Sequence, residues 1–203
     1  MGVLKNVWSV KEVVEIRELS GNMYAISFVD KQSMEMALEG GPWSVMGSCL
    51  NLKKWEIDQA IHDISFSKVI FWIQIHKLPL ELMTLQNARK IGQVLGELIK
   101  AEDPVRKKGV GRSFLRVRVE VDVEKPLVAG FWVLRGDKGR VWAEIKYERI
   151  ADFCFRCGRL GHVLRNCEEE ISGQKEIRGK KKVWSVDEGV YHKEGRGWQM
   201  EGE

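Results

Sequence analysis

Apolar and polar positions alternate along much of this chain, and the alternation predicts most of its elements. In "VVEIRELSGNMYAISFV", residues 13–29, Val14 and Ile16 alternate with charges; after Ser20, Gly21 and Asn22, the apolar Tyr24, Ile26 and Phe28 alternate with smaller residues. This pattern predicts a β-hairpin. Asp30 is placed to cap a short helix with Met34, Ala37 and Leu38 on one face, stopped by Gly40, Gly41 and Pro42, and a further strand is predicted near "CLNLKKW".

A second block opens at "VIFWIQIHKLP", an apolar run of strand length ended by Pro79. Thr84 can cap the next helix, which turns Leu85, Ala88, Ile91 and Leu95 toward a core. "EDPVRKKGVGR" reads as an exposed loop. "FLRVRVEVDV" gives the clearest signal: Leu115, Val117, Val119, Val121 and Val123 fall on one face and Arg116, Arg118, Glu120 and Asp122 on the other, a half-buried strand. "GFWVLRGDKGRVWAEIKYERI" predicts a hairpin turning at Gly136, Asp137, Lys138 and Gly139.

Each block is thus strands with one helix on a face, which places the chain in the α+β class. The blocks run over about 10–60 and 66–150, together an α+β domain over 10–150, followed by a cysteine-rich segment at 152–169. From Glu168 the composition shifts to Glu, Gly, Lys and Arg without a sustained period, so a disordered charged tail is expected over 170–203. "KNVWSV" near the start recurs as "KKVWSV" at Lys181, a repeat too short to argue from.

Composition supports a folded chain: 44% of the 203 residues are hydrophobic, and eight tryptophans and seven phenylalanines supply large side chains to bury. A net charge of +4 leans toward an acidic partner such as nucleic acid, but an excess this small matters only through its distribution. No uncharged apolar run reaches the roughly 18 residues of a membrane span, and the first residues lack the apolar core of a signal peptide. Asn6 stands where a myristoylation signal needs Ser or Thr. The expectation is an intracellular protein, nuclear or cytoplasmic. In a reducing compartment, clustered cysteines favour a metal over disulfides.

That cluster is "CFRCGRLGHVLRNC". Cys154, Cys157, His162 and Cys167 give C-x2-C-x4-H-x4-C, three thiolates and an imidazole for one tetrahedral zinc ion. Gly158 and Gly161 supply the backbone freedom that such a small loop needs. A loop this short cannot bury a core of its own, so metal ligation would provide its folding energy. Four protein ligands leave no position for a reactive water, which makes the zinc structural. Between the ligands, Phe155 offers a face on which a base can stack, and Arg156, Arg159 and Arg165 surround it with positive charge, the combination that holds unpaired nucleic acid. The plainer alternative packs Phe155 against Val163 or Leu160 and leaves the arginines solvated.

"CFRCGRLGH" followed by four residues and Cys resembles the CCHC zinc knuckle of retroviral and retrotransposon gag-type proteins. "FWIQIHKLPLELMTLQNARKIGQVLG", "FLRVRVEVDVEKPL" and "VWAEIKYERIADFCFRCGRLGH" are similar to a plant family, related to the first open reading frame of LINE-type retrotransposons, in which an RRM-like domain of unknown function precedes a knuckle. "YAISFVDKQSMEMALEGGPWSVMGSCLNLKKW" resembles the end of that upstream domain, and the likeness covers roughly residues 10–167. It implies zinc at the same four residues and single-stranded RNA or DNA as partner. The family's first domain opens with a further strand and helix, for which few residues precede "VVEIREL", so the amino end reads as truncated, with a sheet edge exposed or the fold incomplete. Reverse-transcriptase and endonuclease segments of a complete element are absent, which implies a chain that binds rather than copies.

An RRM stacks bases on strand aromatics within a pattern like K/R-G-F/Y-G/A-F-V-x-F/Y. "NMYAISFV" keeps Tyr24 and Ala25 but has Ile26 at the second aromatic, so Tyr24 and Phe28 read as packing residues. Arg116 and Arg118, on the polar face of one strand, are candidates for phosphate contact, against the alternative of a solvated sheet face. Self-association through the α+β blocks is a further expectation, as is a nuclear-import or binding role for "RGKKK", Arg178 to Lys182. Catalysis is not expected. Glu120, Asp122 and Glu124 fit a charged strand face, His76 has no nucleophile beside it, His62 and His192 are isolated, and Cys49 reads as a small buried strand residue. Neither a small-molecule substrate nor a membrane is expected as partner.

Overall fold

A computed structural model of the chain describes residues 13–19, 21–104, 112–135, 138–168, 182–184 and 191–193. They cluster into two units, Met1–Val69 with Arg149–Asp152, and Ile70–Glu148 with Phe153–Glu203.

In the first unit, β1 (Val13–Glu18) pairs antiparallel with β2 (Tyr24–Phe28), Ile16 opposite Ile26 and Glu18 opposite Tyr24. Ile16 is buried as its alternation predicts, but Val14 is 68% exposed. The ladder slips between Val13 and Glu15, so the extra residue at the bulge leaves the face it would otherwise share with Ile16. Asp30 caps α1 (Lys31–Gly40) by accepting a hydrogen bond from the Ser33 amide at 2.7 Å, and Ala37 is the residue the helix fully buries. The strand expected near "CLNLKKW" is a small hairpin, β3 (Trp43–Val45) with β4 (Ser48–Leu50). Trp43 donates from Nε1 to the Ala37 carbonyl at 2.9 Å, which ties this hairpin to α1. Arg149 places its guanidinium 4.2 Å from the Trp43 ring, and Asp152 accepts from the Cys49 amide at 2.7 Å. Cys49 is half-buried, and burial, with the Asp152 charge, pushes its thiol up to about 11, the behaviour of a packing residue.

The second unit is built on β5 (Lys68–His76), α2 (Leu85–Leu95), β6 (Glu97–Ala101), β7 (Phe114–Asp122), β8 (Gly130–Leu134) and β9 (Arg140–Tyr147). Its sheet runs in the order β11-β10-β8-β9-β5-β7-β6, where β10 (Lys182–Trp184) and β11 (Tyr191–Lys193) are three-residue strands from the tail. The remainder of the tail, and with it "RGKKK" up to Lys181, lies outside the described residues, as do Gly136 and Asp137 of the β8–β9 turn. The succession β5–α2–β6–β7 followed by β9 keeps the first helix and four strands of the split β-α-β-β-α-β arrangement, with β8 where that arrangement carries its second helix. This is the mixed α+β class expected from the sequence.

Alternation places the core. Phe71, Ile73 and Ile75 of β5 are fully buried, as are Leu115, Val117 and Val119 of β7 and Val133 of β8. Each such side chain is worth roughly 1.5–3 kcal/mol on burial. Thr84 caps α2 by accepting from the Asn87 amide at 3.1 Å, and the helix lays Ala88, Ile91 and Gly92 over β6 and β7. Gly92 lets the helix approach closely there, since a Cβ would come within 2.6 Å of the Leu98 side chain on β6 and that side chain would have to shift. Strand β6, at one sheet edge, was not legible in advance. "ELIKA" is short and mostly exposed, and its alternation breaks where the ladder slips between Leu98 and Lys100. No helix among the described residues is long and apolar enough to cross a membrane.

On the sheet face opposite the fully buried side chains, Trp72 is only 6% exposed; the Arg116 guanidinium lies 3.8 Å above its ring, and Lys100 and Arg118 each stand 5.8 Å from it. Arg116 is held there by a fork. Its Nε and Nη2 donate to the two carboxylate oxygens of Glu148 at 2.8 and 2.7 Å, and Nη1 donates to Glu102 at 2.9 Å. Gln74 donates to the same Glu148 at 2.7 Å and contacts His76 at 2.8 Å, and Arg112 pairs with Glu102. The Arg116 hydrogen bond outweighs burial and holds the Glu148 carboxyl below its usual range, and the same bond raises Arg116.

Candidate metal centre

The chain enters the centre from Phe153, whose backbone bridges to Leu160, and it makes a tight turn between them. The Cys154 amide donates to the Arg159 carbonyl at 2.9 Å, and the Gly158 amide donates to the Cys154 carbonyl at 2.8 Å. Gly158 sits at φ +74°, in the left-handed region that lets the chain reverse straight after the second cysteine. A 3-10 turn at Leu164–Asn166 then brings Cys167 back.

The four predicted ligands converge. One ligand atom from each of Cys154, Cys157, His162 and Cys167 lies within 4.8 Å of the other three, and Cys157 Sγ is 3.3 Å from His162 Nε2. A tetrahedral zinc with Zn–S bonds of about 2.3 Å sets its sulfurs roughly 3.8 Å apart, so modest contraction closes the set around one ion. Cys154 and Cys157 are buried, and His162 and Cys167 are half-buried. Burial pushes the Cys154 thiol up, but hydrogen bonds from the Cys157 and Arg156 amides and from the Cys167 and Cys157 thiols more than offset it, leaving Cys154 at about 6. Burial, with the neighbouring Cys154 charge among the causes, raises Cys157. A bound cation would displace the remaining thiol protons. The donor set is soft, closed and matched to a structural zinc ion.

Phe155 is 77% exposed and stands perpendicular to Phe153, ring centroids 5.1 Å apart. It does not complete a mini-core with Leu160, which is itself buried. Arg156 donates from Nη1 to the Cys167 carbonyl at 3.4 Å, Arg159 is half-buried, and Arg165 is exposed on the 3-10 turn. Arg116 and Arg118 are instead on β7, where Arg116 is engaged as described and Arg118 lies 5.8 Å from the Trp72 ring. Sequence reasoning missed the support beneath the turn. The Leu127 amide donates to the Gly158 carbonyl at 2.7 Å, and a Cβ on Gly158 would meet the Pro126 Cβ at 3.4 Å. Phe153 was also missed, although its position two residues before Phe155 hinted at an aromatic pair.

No curated protein and no solved structure matches the chain. Residues 2–61 match the model of a domain of unknown function (DUF4283). Residues 121–169 match the model of a zinc knuckle, a segment far longer than the ligand span and one that takes in β8 and β9. The chain is thus similar to a DUF4283 domain at one end and to a zinc knuckle further on, and Cys154, Cys157, His162 and Cys167 are positioned to bind one zinc ion.

Proposed function

We propose that the chain is a zinc-dependent binder of single-stranded RNA or DNA, and that the knuckle makes the contact. The observation that carries this reading is Phe155. An aromatic ring 77% exposed on a turn whose backbone is fixed at both ends is a stacking platform already ordered before a base arrives. Arg165 stands exposed nearby in sequence, and Arg156, the residue after Phe155, is tethered to the Cys167 carbonyl, so the same short turn carries cationic groups for phosphate contact. Stacking contributes about 1–3 kcal/mol per base, and the arginines add a salt-sensitive phosphate term. Arg116 is left out of the proposed interface, because its fork to Glu148 and Glu102 would have to break first. The chain acts by binding rather than catalysis in this reading, with zinc as a staple, and its retrotransposon-related ancestry rests on the sequence resemblance.

The test is Phe155→Ala with Arg156→Ala, measured by fluorescence anisotropy on a labelled single-stranded RNA and its DNA equivalent, with zinc content quantified in parallel. Affinity should fall by more than tenfold at unchanged zinc stoichiometry. Unaltered affinity removes Phe155 and Arg156 as carriers of binding. A second reading, an interaction module with a purely structural zinc, draws on Val163 and Leu164, which are 37% and 48% exposed near Phe155 in sequence. If neither nucleic acid binds the wild-type protein at low salt, that reading takes over.

A further inference from the structure

The segment between β7 and β8 has an unusual set of partners. Pro126 has no amide hydrogen to offer, and its Cβ is the nearest atom to the space a side chain on Gly158 would fill. Leu127 sends its amide to the Gly158 carbonyl at 2.7 Å. Val128 gives both of its backbone groups to one side chain: its amide donates to the Tyr147 hydroxyl at 3.1 Å, and that hydroxyl donates to its carbonyl at 3.2 Å. The Ala129 carbonyl accepts from the Ile145 amide at 2.9 Å. Tyr147 is anchored in turn on the core, where its ring stands edge-on to Phe71 at 5.6 Å.

These contacts form a continuous line from the sheet core to the metal turn: Phe71, Tyr147, Val128, Leu127, Gly158, and the Cys154 carbonyl that accepts from Gly158. We propose that this line is a latch coupling zinc occupancy to the order of the sheet, with Tyr147 as its positioning residue. The physical reason lies in the backbone of Val128. One hydroxyl holding both its donor and its acceptor fixes the peptide planes on either side of Val128, and the first of these begins at the Cα of Leu127, whose own amide donates to the Gly158 carbonyl just after the second ligand, Cys157. Without the hydroxyl those two groups lose their partner, and Leu127, whose amide meets Gly158, loses the fixed peptide that follows it. The ligand turn would then have to order itself against a loose support, which weakens the metal as loss of any orienting group around a zinc site does. By reciprocity, zinc must tighten the segment by the same factor that the segment tightens zinc. The reach of the knuckle match back to residue 121, well upstream of the ligands, fits one inherited unit rather than a bead on a tether. This inference depends on zinc binding alone and stands or falls separately from the nucleic-acid reading.

The test compares wild-type chain, Tyr147→Phe and Thr84→Ala, each loaded with one zinc, by the rate of zinc transfer to a chromophoric chelator and by competition affinity. Tyr147→Phe keeps the ring and removes the hydroxyl, and should weaken zinc by roughly tenfold. Thr84→Ala removes the α2 cap from the same unit without touching the latch, and should leave zinc affinity within about twofold. Equal weakening in both variants means general destabilisation and overturns the latch, as does an unchanged affinity in Tyr147→Phe. Should Tyr147→Phe not fold, hydrogen exchange on the wild-type chain decides the matter. The Leu127 and Val128 amides must lose protection when zinc is removed, and retained protection refutes the coupling.

Discussion

Replacing Arg116 with Gln tests the account of the sheet face most closely. The substitution removes three charge-assisted hydrogen bonds and the cation above Trp72, and leaves Glu148 with the Gln74 amide as the donor shown here. Exposed ion pairs are worth about 0.2–1 kcal/mol, whereas breaking a fully buried one costs about 3–5 kcal/mol. Arg116 and Glu148 side chains are 21% and 26% exposed, between these limits, so a loss of about 2 kcal/mol is expected at pH 7. With a urea slope of about 1–3 kcal/mol per molar, the unfolding midpoint should drop by on the order of 1 M. The comparison is made on zinc-free protein, so that acid release of the metal does not intrude, with tryptophan fluorescence reporting unfolding. The pH dependence has a definite sign. Glu148 is held below its unfolded value of about 4.3, so its contribution is complete above that pH and fades as pH falls through the lower folded value. The gap between wild type and variant should therefore be constant from pH 7 to 5 and narrow toward pH 3. An equal midpoint at pH 7, or a gap that does not narrow in acid, refutes the Arg116–Glu148 fork as a stabilising element.

Two further substitutions probe how the second unit is packed. Gly92→Val should destabilise by about 1–3 kcal/mol, because its Cβ would fall 2.6 Å from the Leu98 side chain and its branched methyls need room between α2 and β6; thermal unfolding monitored by circular dichroism reads this, and a stability gain would show that α2 does not approach β6 so closely. Thr84→Ala should lower stability by about 1 kcal/mol through loss of the α2 cap, and an unchanged midpoint in the same assay would remove that cap from the account.

Much of this was legible because period and spacing are direct records of geometry. The alternation of "FLRVRVEVDV" maps onto β7 from Phe114 to Asp122, with Val123 falling into the turn beyond it, since a strand with one buried face has no freedom in which side chains it hides. Asp30 and Thr84 announced their helices because only a short acceptor side chain satisfies the first free amides. The ligand set was legible for the same reason: four donors separated by short intervals can meet only around a common point. What escaped was information held between distant parts of the chain. Arg116 on a polar strand face reads equally well as a phosphate contact, and only the return of Glu148 and Glu102 to its side shows where its donors go. Val14 fits its alternation and is nonetheless exposed, because a bulge depends on the partner strand. The contact of Leu127 with Gly158 joins residues that no periodicity relates.

The central claim is that zinc folds a turn which then presents Phe155 and its arginines to an unpaired strand. The measurement that meets it most directly is binding of a fluorescent single-stranded RNA to zinc-quantified protein, at two salt concentrations and with and without chelator. The account predicts one zinc per chain and an affinity that falls both on chelation and on added salt. One zinc per chain with no binding of RNA or single-stranded DNA, even at low salt, would contradict it.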